Sequence, residues 1–192
     1  MTKMNFLKTI NTFFRVSILL VLFFTSSNLI SQTNNSDKII ISNKLKWSER
    51  MALTIMARHP ESYMIDDAKK PHWDYVHGLV LTSLEELNKQ KKETKYFNYI
   101  QKYADDLIDK EGAIATYKED AYNIDMIVAG RILFHLYEKT KDNRYLVAMQ
   151  TLRKQLDSQP RTASGGFWHK NIYPNQMWLD GLYMGEPFYA QY

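Results

Sequence analysis

From Lys44 onward the apolar residues recur at spacings of three and four, and no stretch alternates apolar with polar over the length of a strand. Such a chain buries stripes on helices, because the same spacing on a strand would scatter apolar residues over both faces. Asn43 is placed to cap a first helix through Lys46, Trp47, Ala52 and Met56 that ends at His59-Pro60. A second helix is expected over 73–88, with Val76, Leu79, Val80, Ser83, Leu84 and Leu87 on one stripe. A third, over 95–109, would bury Phe97, Ile100, Tyr103, Ala104 and Leu107. A fourth is expected over 123–139, burying Ile124, Ile127, Val128, Leu133 and Leu136. Asp142 can cap a fifth over 143–158, which Pro160 stops, and a sixth starts near Met177 and runs to the end. The fold class read from the pattern is all-α.

Size and composition permit a core. The chain has 192 residues, 45% hydrophobic and 24% charged, which are globular rather than disordered proportions. The net charge of +4 is small and dispersed. Its basic clusters, Lys89 with Lys91 and Lys92, and Lys69 with Lys70, lie among Glu85, Glu86, Glu93, Asp66 and Asp67. A nucleic-acid face would concentrate that charge, so no such partner is expected.

The first thirty-odd residues differ from the rest. Lys3, Lys8 and Arg15 precede an apolar run from Val16 to Phe24, and small polar residues follow it. That order describes a secretory signal peptide over residues 1–31, with cleavage near Ser31 and a polar leader over 32–43. The run is shorter than the roughly twenty apolar residues of a membrane span, so no stable span is expected after cleavage. An uncleaved N-terminal anchor is the alternative. A periplasmic or secreted bacterial location is expected. The chain has no cysteine, which excludes disulfides, thiol catalysis, cysteine-ligated zinc and a lipid-modified cysteine.

Three segments place aromatics and a carboxylate at a helix start: Trp73-Asp74-Tyr75, Tyr122-Asn123-Ile124-Asp125 and Trp178-Leu179-Asp180. The aspartates are 51 and then 55 residues apart, one helical hairpin per step. If the hairpins wind about one axis, these helix starts share a rim. A simple first-turn role, where the helix dipole favours a carboxylate, is the better reading for Asp74. Gly181 beside Asp180 suggests an approach that a side chain would hinder. Just upstream, His169 lies between Trp168 and Lys170, and aromatic faces beside polar donors suit a sugar ring. The five histidines, His59, His72, His77, His135 and His169, lack ligand spacing such as H-E-x-x-H, and no phosphate loop or nucleophile elbow occurs. Neither a metal nor a cofactor is expected.

The blocks Arg161-Thr162, Gly165-Gly166-Phe167-Trp168-His169-Lys170 and Tyr173 through Met184 resemble the signature of glycoside hydrolase family 105, the unsaturated rhamnogalacturonyl or glucuronyl hydrolases. The resemblance covers residues 44–192. It implies an incomplete (α/α)6 barrel, about three helical hairpins of six, with a substrate pocket at one rim. It also implies removal of a 4,5-unsaturated uronic acid from the non-reducing end of pectin-derived oligosaccharides. By position, Asp180 would be the catalytic general acid and base, and Asp125 would orient substrate and water. His169, Trp178 and Tyr75 would bind substrate. Because the family's ring needs about twice these helices, the fragment alone is expected to be inactive and to self-associate through open barrel edges. The alternatives are an unsaturated glucuronyl hydrolase acting on glycosaminoglycan fragments and a non-catalytic carbohydrate-binding helical protein.

Overall fold

The computed structural model describes residues 40–192, so the expected signal peptide and residues 32–39 of the leader lie outside the described residues. Seven α-helices follow in order: α1 Trp47–Arg58, α2 Tyr75–Lys91, α3 Thr94–Leu107, α4 Arg131–Thr140, α5 Asn143–Ser158, α6 Gly181–Met184 and α7 Glu186–Gln191. A 3-10 run over Ile124–Gly130 feeds directly into α4. No described helix is long and apolar enough to cross a membrane.

Local chemistry sets most of the boundaries. The Asp74 carboxylate accepts the Val76 amide at 3.1 Å and starts α2, while Lys92 in the left-handed region ends it. Asp142 likewise accepts the Arg144 amide at 2.9 Å and starts α5. The long connections after α3 and α5 are built alike. Each holds a single antiparallel bridge, Ile108 with Ile114 and Arg161 with Phe167, turned at a positive-φ glycine, Gly112 or Gly165. Among the described residues there is no strand beyond these bridges.

The helices form two layers. In the inner one, α2 packs on the 124–130 run, which in turn meets α6 and α7, and in the outer one α3 backs α2 while α5 backs α4. The core between them contains Leu81, Tyr103, Ile127, Leu133, Leu136, Tyr145, Leu152 and Phe188, all with no exposed surface. Within it the Tyr103 hydroxyl is paired: it donates to the His72 carbonyl at 3.0 Å and accepts from the Asp74 amide at 3.1 Å. The Trp73 indole donates to the Met126 carbonyl at 2.7 Å, which joins the start of α2 to the 124–130 run.

Four expectations are corrected. Asn43 lies in a turn and does not cap α1; the helix begins at Trp47 with Lys46 in the cap position, without a side-chain bond. The buried face of α2 is rotated from the expected stripe: Leu79 and Ser83 are exposed, while His77, Gly78, Leu81, Thr82 and Glu85 are buried. The cause is the 124–130 run, which crosses α2 closely enough at Gly78 that a Cβ there would lie 2.5–2.8 Å from backbone atoms of Val128 and Ala129. The fourth helix opens as 3-10 rather than α. The sixth starts only at Gly181, because residues 173–178 spend their backbone bonds on turns and on His169, and it breaks at Gly185, just before Pro187.

Candidate active site

Three segments meet at the N-terminal end of the inner layer. In the first, the Asn123 side chain accepts the Asp125 amide at 3.1 Å and starts the 3-10 run that buries Asp125. The second is the loop through His169, whose amide donates to the Gln176 carbonyl at 2.8 Å and whose carbonyl accepts from the Ile124 amide at 3.0 Å. The third runs from Gln176 into α6 and brings Trp178 and Asp180.

A buried pair of glutamines holds the first two segments in register. Gln159 donates through its amide nitrogen to the Tyr122 carbonyl at 2.7 Å and to the Trp168 carbonyl at 2.8 Å. Gln155 donates to Gln159 Oε1 at 2.9 Å and accepts from the Tyr117 hydroxyl at 2.6 Å. Thus the residues before Asp125 and before His169 are tied to one side chain.

The resulting cluster is tight. His169, 2% exposed, places Nε2 at 3.4 Å from Asp125 Oδ1 and Nδ1 at 4.0 Å from Asp180 Oδ1. Lys170 Nζ lies 2.8 Å from Asp125 Oδ2 and offsets the buried charge. The imidazole stacks on Trp178 at 4.1 Å between centroids and 12° between planes, and Trp178 stacks on Tyr173 at 5.3 Å and 21°. Both ring nitrogens of His169 and Asp125 Oδ1 are buried without a hydrogen bond, since their 3.4 Å approach is misaligned. Each such orphan costs about 1–3 kcal/mol unless a ligand satisfies it.

Of this cluster His169 and Trp178 line a hollow of about 460 Å³, together with Ile124, Phe167, Gly181 and Leu182, while the carboxylates of Asp125 and Asp180 stand behind that lining. Asp180 stands at the cluster with half of its side chain exposed. A Cβ on Gly181 would come no closer than 3.9 Å to His169 Nδ1 and 4.0 Å to Ile124 Cγ2. The fold therefore has room for a methyl there, and glycine leaves that wall of the hollow open to something else. The oxygens of Asp125 and Asp180 and a nitrogen of His169 lie within 4.8 Å of one another, a spacing that could admit a cation. Lys170, however, already sits on Asp125 and opposes one electrostatically.

Of the residues singled out in the sequence, the fold brings together Asp125, His169, Trp178 and Asp180. Tyr75 opens α2, is 40% exposed, and does not line the hollow. Asp74 is a helix cap. Sequence reasoning did not assign Lys170, Tyr173, Gln155 or Gln159 to the site. The first was visible as the neighbour of His169, and the two glutamines as a polar i,i+4 pair in the last turns of an apolar helix face.

Glycosyl hydrolase family 88 matches residues 47–192, nearly all of the described chain. The chain belongs to that family. A solved glycoside hydrolase of family 105 from C. acetobutylicum ATCC 824 is 42% identical, with a TM-score of 0.69 over 77% of this chain. This chain spans 39% of that structure's length. The inner and outer helical layers of this family 88 chain are accordingly an incomplete α/α barrel.

Proposed function

We propose that residues 44–192 carry the acid–base half of a glycoside hydrolase that hydrates the C4=C5 vinyl ether of an unsaturated uronic acid at the non-reducing end of a pectin-derived oligosaccharide. The observation that carries the reading is the buried His169, held between Asp125 and Asp180 beneath the Trp178–Tyr173 stack, with both nitrogens unpaired. Asp180, the more exposed carboxyl, protonates C4 and assists the attack of water on C5. Asp125, paired with Lys170, orients that water through His169. The C5 hemiketal then opens and releases the next sugar. The family and the neighbouring structure support a glycosidase. The aromatic stack beside polar groups supports a sugar ring as ligand.

Binding is tested on the full chain by ligand-observed NMR and quenching of Trp178 fluorescence with unsaturated pectin-derived and glycosaminoglycan-derived disaccharides. The pectin-derived sugar is expected to bind more tightly; the reverse order would move the reading to a glucuronyl hydrolase. Turnover is followed as loss of the double bond's ultraviolet absorbance in residues 44–192 joined to the part of the C. acetobutylicum structure that they do not cover. Full turnover after Asp180→Asn would overturn the catalytic assignment.

A further inference from the structure

A second cluster of ligand-type side chains lies outside the hollow, and nothing in the proposed reaction uses it. We propose that Asp66, His72 and His77 form a binding site for a borderline divalent transition cation of the zinc class. The three are separated in sequence by five and four residues and form no ligand motif. The fold gathers them by laying the 61–72 segment, with its 3-10 turn Ser62–Met64, over the first turn of α2.

The geometry is that of a coordination shell. His72 Nε2 lies 2.9 Å from Asp66 Oδ2, and His77 Nε2 lies 3.6 Å from Asp66 Oδ1. The Tyr63 carbonyl oxygen is 2.8 Å from the same His77 nitrogen. One ligand atom from each of the three side chains falls within 4.8 Å of the others. Ligands bound at about 2.0–2.2 Å around one cation stand about 3–3.5 Å apart, so the two Asp66–histidine separations approximate the edges of a coordination polyhedron. Two imidazoles and a carboxylate, with a carbonyl alongside, are the donors that zinc-class ions take.

Charge and orientation agree. Among the described residues, Asp66 lies beside the two imidazoles and pairs with no lysine or arginine. Its negative charge is therefore not already neutralised in the way Lys170 neutralises Asp125. His72 Nδ1 faces the Lys70 carbonyl at 3.3 Å, which suits an Nδ1–H and leaves the Nε2 lone pair for a metal. The His77 ring has no exposed surface and is clamped flat on Tyr103 at 4.7 Å and 12°, with the His72 ring perpendicular to it at 4.9 Å. Side-chain exposures of 30% for His72 and 22% for Asp66 give entry and room for coordinating water.

One feature limits the affinity. In the metal-free protein His77 Nε2–H donates to Tyr63, and a cation at Nε2 moves that proton to Nδ1, which is buried without an acceptor. A site lacking that support is expected to bind about 10–100-fold more weakly than one that has it.

The full chain is titrated with Co²⁺ alone, followed by its visible ligand-field bands, and then with Zn²⁺ as competitor and in thermal melts. One equivalent of Co²⁺ is expected to develop bands that Zn²⁺ displaces, and Zn²⁺ is expected to raise Tm by several degrees. Asp66→Asn and His72→Ala touch partly exposed side chains, leave the core intact, and are checked for an unchanged far-ultraviolet dichroism spectrum. Each is expected to weaken binding at least about tenfold. His169→Ala is expected to leave it unchanged. Absence of bands and of a Tm shift in the parent chain would overturn the proposal. So would their persistence in both Asp66→Asn and His72→Ala, or their loss in His169→Ala.

Discussion

Two histidine–carboxylate clusters sit near the same end of the inner helical layer, linked through Trp73, which follows His72 and bonds the Met126 carbonyl next to Asp125. In one, His169 stacks on an indole facing a hollow, and the buried Asp125 is matched by Lys170. In the other, His77 stacks on the fully buried Tyr103, and Asp66 meets two imidazoles and the Ala68 amide but, among the described residues, no lysine or arginine. The side-chain types are nearly the same. What separates the two is whether a lysine has already taken the carboxylate's charge and whether the imidazole borders open space. The first arrangement suits a polar organic ligand, the second a cation.

The largest expected effect breaks the first cluster alone. Asp180→Asn in the joined enzyme is expected to lower kcat by about 10²–10⁴-fold, the range of lost general acid–base catalysis, while disaccharide binding stays within about twofold. Steady-state kinetics beside ligand-observed NMR separates the two quantities, and Co²⁺ binding should be untouched. Next comes a change expected to damage both clusters at once. Gly78 lies where α2, which carries His77, crosses the run that carries Asp125. Gly78→Ala forces a methyl against backbone that cannot rotate away, at a cost of about 3 kcal/mol in urea unfolding. Co²⁺ and sugar binding should then fall together. If only one falls, the clusters are mechanically independent.

The sequence made the helices legible because apolar periodicity and caps are local. Asp74, Asp142 and Pro160 each act within a few residues of themselves, and the bounds of α5 came out as read. The site was legible where chemistry is dense in the sequence, as in His169, Trp178 and Asp180. It was not legible where a residue's role comes from a distant neighbour. The buried face of α2 depends on a crossing with residues 128 and 129, and Gln159 acts on carbonyls of residues 122 and 168. Asp66, His72 and His77 show no spacing at all, because a folded-back segment rather than a helix register brings them together.

Smaller effects sharpen the comparison on the side of the hollow. Gln159→Leu leaves the Tyr122 and Trp168 carbonyls without their donor and the Gln155 amide with the Asn123 carbonyl alone. About 2 kcal/mol of stability is expected to be lost in urea titration. Sugar binding should weaken while Co²⁺ binding at the other cluster holds. Gly181→Ala reverses the usual link between stability and function. The methyl has room within the protein and improves helix propensity by up to about 1 kcal/mol. Because it projects toward the hollow beside His169, sugar affinity should fall about tenfold. A thermal melt that drops along with affinity would mean that the glycine serves the fold instead.

The smallest effect calibrates what burial alone does to a carboxylate in this layer. Glu85, two turns beyond His77 on α2, is 4% exposed and has the half-exposed Lys89 as its ion-pair partner at 3.1 Å. Burial pushes its carboxyl above the ordinary value, and the bond to Lys89 only partly offsets this. A carboxyl whose folded value is raised holds its proton more tightly in the fold than in the unfolded chain. Its contribution is therefore fully present below about pH 4.5 and is lost as pH rises through the folded value. Glu85→Gln removes that dependence. The variant should match the parent near pH 4 and exceed it at pH 7 by less than about 1 kcal/mol, read from paired urea unfolding curves. If the variant were instead weaker at pH 7, the Lys89 pair would outweigh desolvation at Glu85. The contrast between the lysine-matched Asp125 and the lysine-free Asp66 would then have to rest on geometry rather than on charge.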